Sequence, residues 1–240
     1  MNIKSELEKI WNNDNSNELP EFVKERGFVF AENEKQKDIL ITGINPSFRE
    51  GDPKKGFGFD FQKTLFNEKY DNYWDPIKKM LLNENIDLRK NSAYLDILYY
   101  RERIQSTLKN EFLKTKVGIE FIAKQISLSQ RVIERIIKPK VIIVKNKESQ
   151  AYWGKYSNKG TFWMGYEFEF IENLYCGELY KIKKLIKTNK RVTNEIEETN
   201  LENTLVLFSH HINQYTSKEK RLRTETIMEF IKNIIPAHNN

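Results

Sequence analysis

The residues that could do chemistry in this chain stand where a predicted strand ends. Residues 38–47 read DILITGINPS, in which the apolar run 39–42 stops at the turn Gly43-Ile44-Asn45-Pro46-Ser47. Such a run is typical of a buried parallel strand, and the turn puts a polar amide at its carboxyl end. Because ligands of open α/β sheets bind at that edge, Asn45 is a candidate functional residue.

Polar residues also follow the other predicted strands. These residues are Asp96, the pair Lys145 and Asn146, and the group His210, His211 and Asn213. In a parallel sheet the carboxyl ends share one edge, so we expect Asn45 and one of the histidines to share a cleft. A histidine there could donate a hydrogen bond or titrate near neutral pH. The alternative is that His210 or His211 only caps local backbone.

The elements that must position these residues follow an alternating pattern. Apolar runs predict strands at 38–43, 94–98, 141–144 and 205–208, with an extra strand at 166–171. Helices are predicted at 4–11, 73–82 and 117–137, with a basic helical stretch at 181–190. Thr216 and Glu219 form a capping-box pattern that predicts the start of the last helix.

The alternation predicts one α/β domain spanning residues 1–240, with its core at about 38–234. We expect a three-layer α/β/α sandwich around a central, mainly parallel sheet of four strands. The loop at 47–61 is rich in Gly, Pro and Phe and is long for a simple connection, which is often a mark of function.

Composition narrows the possible partners. The net charge of +6 and the pI of about 9.1 permit a nucleic-acid partner, although a genome bias toward Lys, Asn and Ile would give the same charge. The single cysteine, Cys176, excludes an internal disulfide, a four-cysteine iron–sulfur cluster and a cysteine-rich zinc site. The charged N-terminal segment and the lack of a long apolar run predict a soluble, cytoplasmic protein.

The order of these pieces resembles the uracil-DNA glycosylase superfamily. Gly43-Ile44-Asn45-Pro46-Ser47 looks like the first motif of the mismatch-specific and thymine-DNA branch, or of the single-strand-selective branch. His211-Ile212-Asn213 looks like the second motif, usually His-Pro-Ser, and an alignment on His210 is the rival. The resemblance covers residues 38–234, and only the first motif is close. The cysteine count excludes the iron–sulfur branches.

The resemblance implies a role for each matching residue. Asn45 would hold the water that attacks C1′ of a flipped nucleotide, His211 or His210 would stabilise the leaving base, and Phe57 or Phe59 would stack on it. The remaining base-binding candidates are Gly43, Ile44, Pro46, Ser47, Asp96 and Asn213. The candidates for binding DNA phosphates are Lys218, Lys220, Arg221 and Arg223. The family's strand order would be 2-1-3-4, and its mechanism needs no metal or organic cofactor.

The resemblance therefore implies a DNA glycosylase that hydrolyses the N-glycosidic bond of uracil or of a related damaged or mismatched base. The first alternative is a catalytically silent module of the same fold that binds nucleic acid or a nucleotide. The second is an unrelated nucleotide-binding α/β protein in which GINPS is only a turn. The lack of a Gly-rich phosphate loop disfavours that second alternative. The basic residues at 218–223 would then be a solvated helix face.

Overall fold

The computed structural model describes residues 1–13, 17–32, 35–156 and 162–234, which form a mixed sheet with helices on both faces. The strands in chain order are β1 (Val29–Ala31), β2 (Ile39–Gly43), β3 (Phe57–Phe59), β4 (Ser92–Asp96), β5 (Val141–Val144), β6 (Tyr166–Leu174), β7 (Gly177–Leu185) and β8 (Leu205–Ser209). The main sheet has six strands in the order β4-β2-β5-β8-β7-β6, and β1 pairs with β3 in a separate parallel sheet.

The α/β class and the mainly parallel sheet are confirmed, but the expected count of four strands is wrong. Strands β4, β2, β5 and β8 are mutually parallel neighbours, and the antiparallel hairpin β6–β7 extends the sheet beyond β8. Because the four parallel strands run in one direction, the residues after Gly43, Asp96, Val144 and Ser209 lie along a single edge. Asn45 and the two histidines are therefore on the same edge of the sheet.

Two apolar layers enclose the parallel strands, since each strand is buried on both faces. One layer holds helices α1 (Ile3–Trp11) and α5 (Lys116–Val132), which pack against side chains such as Leu40 and Ile142. The other holds α3 (Phe61–Phe66), α4 (Asp75–Leu81) and α7 (Thr224–Ile234), which pack against Ile41 and Ile143. The shorter helices are α2 (Glu21–Arg26) and α6 (Gln150–Trp153).

The prediction of a helix for the basic stretch at 181–190 is wrong. Its first half belongs to β7, which pairs with β6 on one side and with β8 on the other. Leu179, Ile182 and Leu185 point into the core, whereas the neighbouring lysines stay at the surface. Pairing on both sides outweighs the helical preference of lysine, because local propensity is a weak force beside a buried ladder.

The predicted capping box at Thr216 and Glu219 does not start the last helix, which begins at Thr224. Thr216 instead closes the preceding loop: its hydroxyl donates to the His211 carbonyl, and its own carbonyl accepts from Arg221 Nε at 2.8 Å. Residues Lys218–Lys220 form one isolated helical turn. The basic residues of 218–223 therefore lie on a loop rather than on the face of a helix.

The remaining predicted elements differ from the structure mainly in length. The helix expected at 117–137 is α5 followed by a wider turn at Ile133–Ile137, and the helix expected at 73–82 is α4. The strand expected at 94–98 is β4, which ends at Asp96. None of the helices in the described ranges has the length and apolar content that a membrane crossing requires.

Candidate functional site

A cavity of about 360 Å³ opens at the carboxyl edge beside the ends of β2 and β4. Its residues come from the turn after β2, from the long loop with β3, from β4, and from the segment before α4. They include Pro46, Ser47, Phe57, Phe59, Tyr73, Trp74, Tyr94, Asp96 and Arg101. We call it the Asp96 cavity. Five of the residues singled out from the sequence line it, namely Pro46, Ser47, Phe57, Phe59 and Asp96.

Gly43 is required here by close approach. It pairs with Asp96 across the β2–β4 ladder, and a Cβ atom at this position would collide with Asp96 Oδ1 and lie 2.7 Å from the Tyr94 hydroxyl. Ile44, the next residue, is buried and packs into the hydrophobic core, which holds the turn in place. Glycine is therefore needed at position 43 because a side chain would collide with the Asp96 carboxyl group, and not because the backbone has a positive φ.

Asp96 is the buried end of a chain of hydrogen bonds. Lys145, at the end of β5, donates from Nζ to the Tyr73 hydroxyl, which lies 2.6 Å from the Tyr94 hydroxyl. The Tyr94 hydroxyl donates to Asp96 Oδ1 at 2.7 Å. Because the Tyr94 proton is used on Asp96, Tyr73 is the donor between the two tyrosines. The chain therefore runs from a cation to a carboxyl group through two hydroxyls.

Burial sets the proton affinity at both ends of this chain. It raises the pKa of Asp96 to about 6, against the opposing effects of the Lys145 charge and of the Tyr94 hydrogen bond. It lowers the pKa of Lys145 to about 8, with the Asp96 charge acting in the opposite direction. Both groups therefore titrate near neutral pH, as is common at functional sites.

Asn45 has its amide orientation fixed by the main chain. Its Nδ2 donates to the carbonyl of Glu102 at 2.7 Å and to that of Pro46 at 3.1 Å. Two carbonyl acceptors identify the nitrogen of the amide. No described residue donates to Asn45 Oδ1, so this oxygen is the atom available to bind water. Asn45 is half-buried and lies just outside the set of residues that line the Asp96 cavity, to which Pro46 and Ser47 belong.

The long loop that carries the aromatic residues is held by an arginine. Arg101 is buried and binds Asp52 at 2.9 Å through Nη2, while Nη1 donates to the carbonyls of Pro53 and Arg26. Its guanidinium also lies 5.3 Å from the centre of the Phe57 ring. Phe59 packs against Trp74 at 5.6 Å between ring centres. The two candidate stacking residues are therefore fixed in place, which lowers the entropic cost of binding a planar ligand.

His211 lines a second cavity, of about 370 Å³, on the same edge of the sheet. We call it the His211 cavity, and its lining includes Tyr70, Asp75, Lys79, Asn213, Lys220 and Arg221. The segment at 70–76 borders both cavities, with Tyr73 on one side and Tyr70 on the other. Asn45 and the histidines therefore lie on the same edge of the sheet, as expected, but they do not share one cavity.

The two adjacent histidines differ in their surroundings. His211 hydrogen-bonds to the main chain of Lys145, and burial together with the Lys145 charge lowers its pKa. Both histidines are exposed, but His210 lines neither cavity, and its main-chain N–H donates to the Cys176 carbonyl at 2.8 Å. Asn213 accepts from the main-chain N–H of Tyr215 at 2.8 Å and so closes the following turn. Of the two alignments, the one on His211 places a histidine at a cavity.

The four basic residues after β8 are all exposed, but they differ in what they bind. Arg221 donates to the carbonyls of Thr216 and Gln214, at 2.8 and 3.2 Å, and so stabilises the loop. The Arg223 guanidinium lies 5.1 Å from the centre of the Tyr175 ring. Lys218 and Lys220 have no ion-pair partner among the described residues. These two lysines are therefore the cations of this loop that are open to an anionic ligand.

Across the described ranges, no three His, Cys, Asp or Glu side chains converge as the ligands of a metal ion would. No family model matches this sequence, and no curated protein matches it either.

Sequence reasoning missed Tyr73, Trp74, Tyr94 and Arg101, which all line the Asp96 cavity. Tyr94 stands two residues before Asp96, and alternate residues of a strand face the same side, so this pair could have been found from spacing. Tyr73 and Arg101 lie on connecting segments, where no periodicity indicates which way a side chain points.

Proposed function

We propose that this protein is a DNA glycosylase, which hydrolyses the N-glycosidic bond of uracil or of a related damaged or mismatched base. The observation that carries the proposal is the Asp96 cavity, which combines the GINPS turn, fixed aromatic rings and a buried carboxyl group at the carboxyl edge of a parallel sheet. A cavity of this kind, apolar with a few polar groups, suits a planar polar ligand.

In this proposal Asn45 positions the attacking water. Its Nδ2 is committed to the carbonyls of Glu102 and Pro46, so Oδ1 accepts a hydrogen bond from the water and points a lone pair of that water at C1′. An amide is a poor base at neutral pH, so its contribution is orientation rather than proton removal. The proton is lost to solvent once the new C–O bond has formed.

The base must leave the helix to reach the cavity, at a cost of a few kcal/mol. Phe57 and Phe59 offset this cost by stacking on the extruded base, since both rings line the cavity and are held by their neighbours. Base–aromatic stacking is worth about 1–3 kcal/mol per base. The lysines at 218 and 220 bind the phosphates of the strand beside the site.

His211 is the candidate that stabilises negative charge on the leaving base. Its pKa responds to the charge and the main chain of Lys145, the residue at the far end of the Asp96 hydrogen-bond chain. The protonated ring has two N–H groups, so one can meet the main chain while the other donates to the base. A donor prealigned on developing charge typically contributes about 10²- to 10³-fold in rate. The segment at 70–76 borders both cavities, so a base in the Asp96 cavity does not reach His211 directly. This role therefore requires that DNA binding bring the base and the histidine together.

The test is single-turnover base release, followed by alkaline cleavage, from labelled DNA holding one uracil in a single strand or opposite G or A. Hypoxanthine and a thymine mismatch complete the set. We expect His211→Ala to lose about 10²- to 10³-fold in rate, and Asn45→Ala to lose less. His210→Ala is the matched control for the adjacent position and should lose least of the three.

One observation favours a second candidate, a binding module without catalysis. His211 lines a cavity other than the one formed by the GINPS turn. Such a module would bind uracil-containing or single-stranded DNA but release no base from any of these substrates. Binding without release, by a protein that is folded, would establish this candidate and refute the enzyme.

A further inference from the structure

Asp96 differs from the two other carboxylates that line its cavity. Asp52 is neutralised by Arg101 at 2.9 Å and also accepts from the Arg49 N–H at 2.8 Å. Asp71 accepts from the main-chain N–H groups of Tyr73 and Trp74, at 2.8 and 3.0 Å. Asp96 receives one hydrogen bond, from a neutral hydroxyl, and no donor among the described residues reaches its Oδ2. Asp96 is thus the carboxyl group left for a ligand.

The protonation state of Asp96 decides what it can bind. As a carboxylate it has only acceptors, so it suits a ligand edge with two N–H donors. As a carboxylic acid it presents one donor and one acceptor side by side. The second arrangement matches a lactam edge, in which an N–H stands next to a carbonyl, as in uracil, thymine and hypoxanthine. A carboxylate facing the carbonyl of a lactam would repel it.

The surroundings keep both forms within reach. Burial raises the pKa of Asp96 to about 6, and Lys145 opposes that rise from the other end of the hydrogen-bond chain. The tyrosines around it are Tyr73 and Tyr94 in the chain and Tyr99, on which the Asp96 charge acts. The other titratable or charged groups that face this network are Asp52, Asp71, Arg49 and Arg101 in the cavity lining and His211 beside Lys145. The pKa values of all three tyrosines are raised, so they stay neutral while Asp96 titrates.

We propose that Asp96, in its protonated form, reads the lactam edge of the extruded base: Oδ2–H donates to the base carbonyl and Oδ1 accepts from the adjacent N–H. Tyr94 fixes the carboxyl group for this contact, and Tyr73 and Lys145 position Tyr94. The inference rests on the proposed function, since it names the class of base that the same cavity accepts. Its consequence is a preference for lactam bases that strengthens as the pH falls.

The test separates reading of the base from binding of the DNA backbone. One oligonucleotide carries 2′-fluoro-2′-deoxyuridine, which resists cleavage, and its partner carries an abasic tetrahydrofuran at the same position. The ratio of the two dissociation constants, from pH 5 to pH 8, cancels the effect of pH on phosphate contacts. We expect the preference for uracil to fall by up to about tenfold for each pH unit above the midpoint near 6.

Asp96→Asn supplies the sharpest comparison, because an amide is a permanent donor next to an acceptor. This variant should prefer uracil equally at every pH, at least as strongly as the wild type at pH 5. Asp71→Asn, at another carboxylate of the same cavity, should keep the pH dependence of the wild type. A flat wild-type ratio, or an Asp96→Asn variant that still titrates, would overturn the inference.

A third oligonucleotide, with guanine at the same position, offers two adjacent N–H donors. These two donors suit the carboxylate, so binding to guanine relative to uracil should rise as the pH rises through the midpoint near 6. A guanine-to-uracil ratio that is the same at pH 5 and pH 8 would overturn the inference. The outcome for catalysis is separate. A pH-dependent preference for uracil without base release would refute the glycosylase and leave the lactam reader standing, whereas base release with a flat ratio would do the reverse.

Discussion

The Asp96 cavity and the His211 cavity lie on the same edge of one sheet, yet they are built differently. The first is lined by strand residues and by a loop that Arg101 holds in place, and its polar groups are hydrogen-bonded to one another. The second is lined largely by the exposed loop after β8, which carries the basic residues. A buried hydrogen-bonded network and an exposed basic loop can therefore share one edge of a sheet while depending on different forces.

Gly43→Ala should break the Asp96 cavity most completely. The added methyl group collides with Asp96 Oδ1 and crowds the Tyr94 hydroxyl, so the carboxyl group must move. Overpacking of this kind costs about 1–3 kcal/mol. We expect this loss in the free energy of unfolding, measured by urea denaturation, together with loss of the preference for uracil over an abasic site.

Gly51→Ala is the comparison for that variant. A Cβ atom at Gly51 would meet nothing within 4 Å, but the residue has a φ of 88°. It should therefore lose stability through backbone strain, by about 1–2 kcal/mol, and keep the preference for uracil. Equal loss of that preference in both variants would contradict the role given to Gly43.

The His211 side should be sensitive to charge. We expect Lys218→Glu combined with Lys220→Glu to weaken DNA binding for all sequences alike. If each lysine contacts one duplex phosphate, the slope of log affinity against log salt should become shallower by about 1.8. Fluorescence anisotropy at several salt concentrations measures this slope. Binding to uracil relative to an abasic site should stay unchanged.

The matched control reverses two lysines on the far hairpin and the segment after it, Lys183→Glu with Lys187→Glu. Both residues are exposed, and the change in net charge is the same. If the control weakens DNA binding as much as the first pair, attraction is a property of the overall charge of +6 rather than of the loop after β8.

Stability should depend on pH through Asp96. Its pKa is raised from 3.8 in the unfolded chain to about 6 in the fold. The wild type therefore loses stability, relative to Asp96→Asn, as the pH rises from well below 3.8 to well above 6, by roughly 3 kcal/mol in total. Denaturant unfolding of both proteins at several pH values gives this difference.

At a surface carboxylate the free energy of unfolding should depend on pH with the opposite sign. The hydrogen bond from Arg89 is the main cause that lowers the pKa of Asp87, so Asp87 stabilises the fold above pH 4 and this contribution is lost as the pH falls. In Asp87→Asn the difference from the wild type should therefore grow with rising pH. The same sign for both variants would argue against the burial of Asp96.

Lys145→Met should give the smallest effect, a shift rather than a loss. The Lys145 charge lowers the pKa of Asp96, so its removal moves the titration of Asp96 to higher pH. The pH at which the preference for uracil is half-maximal should rise accordingly. A midpoint that stays in place, in a folded variant, would mean that the hydrogen-bond chain does not connect the two groups electrostatically.

Much of the fold follows from the sequence because the parallel strands are continuous apolar runs. The strand predicted at 141–144 is β5, and the runs before Asn45 and before His210 are β2 and β8 within a residue or two. The hairpin was only half recognised. The aromatic alternation at 166–171 indicates β6, but the many lysines of β7 favour a helix in the sequence. In the structure β7 is a strand that pairs with β6 on one side and with β8 on the other.

The sequence by itself determined which polar residues lie on the carboxyl edge, because strand direction alone puts Asn45, Asp96, Lys145 and His211 there. Only the tertiary structure decided how they group. The segment at 70–76 borders the two cavities, and Tyr73 links Lys145 to the Asp96 side. Such a partition depends on where connecting segments cross the edge. Side-chain periodicity carries no information about those crossings, because residues 70–74, which precede α4, are neither helix nor strand.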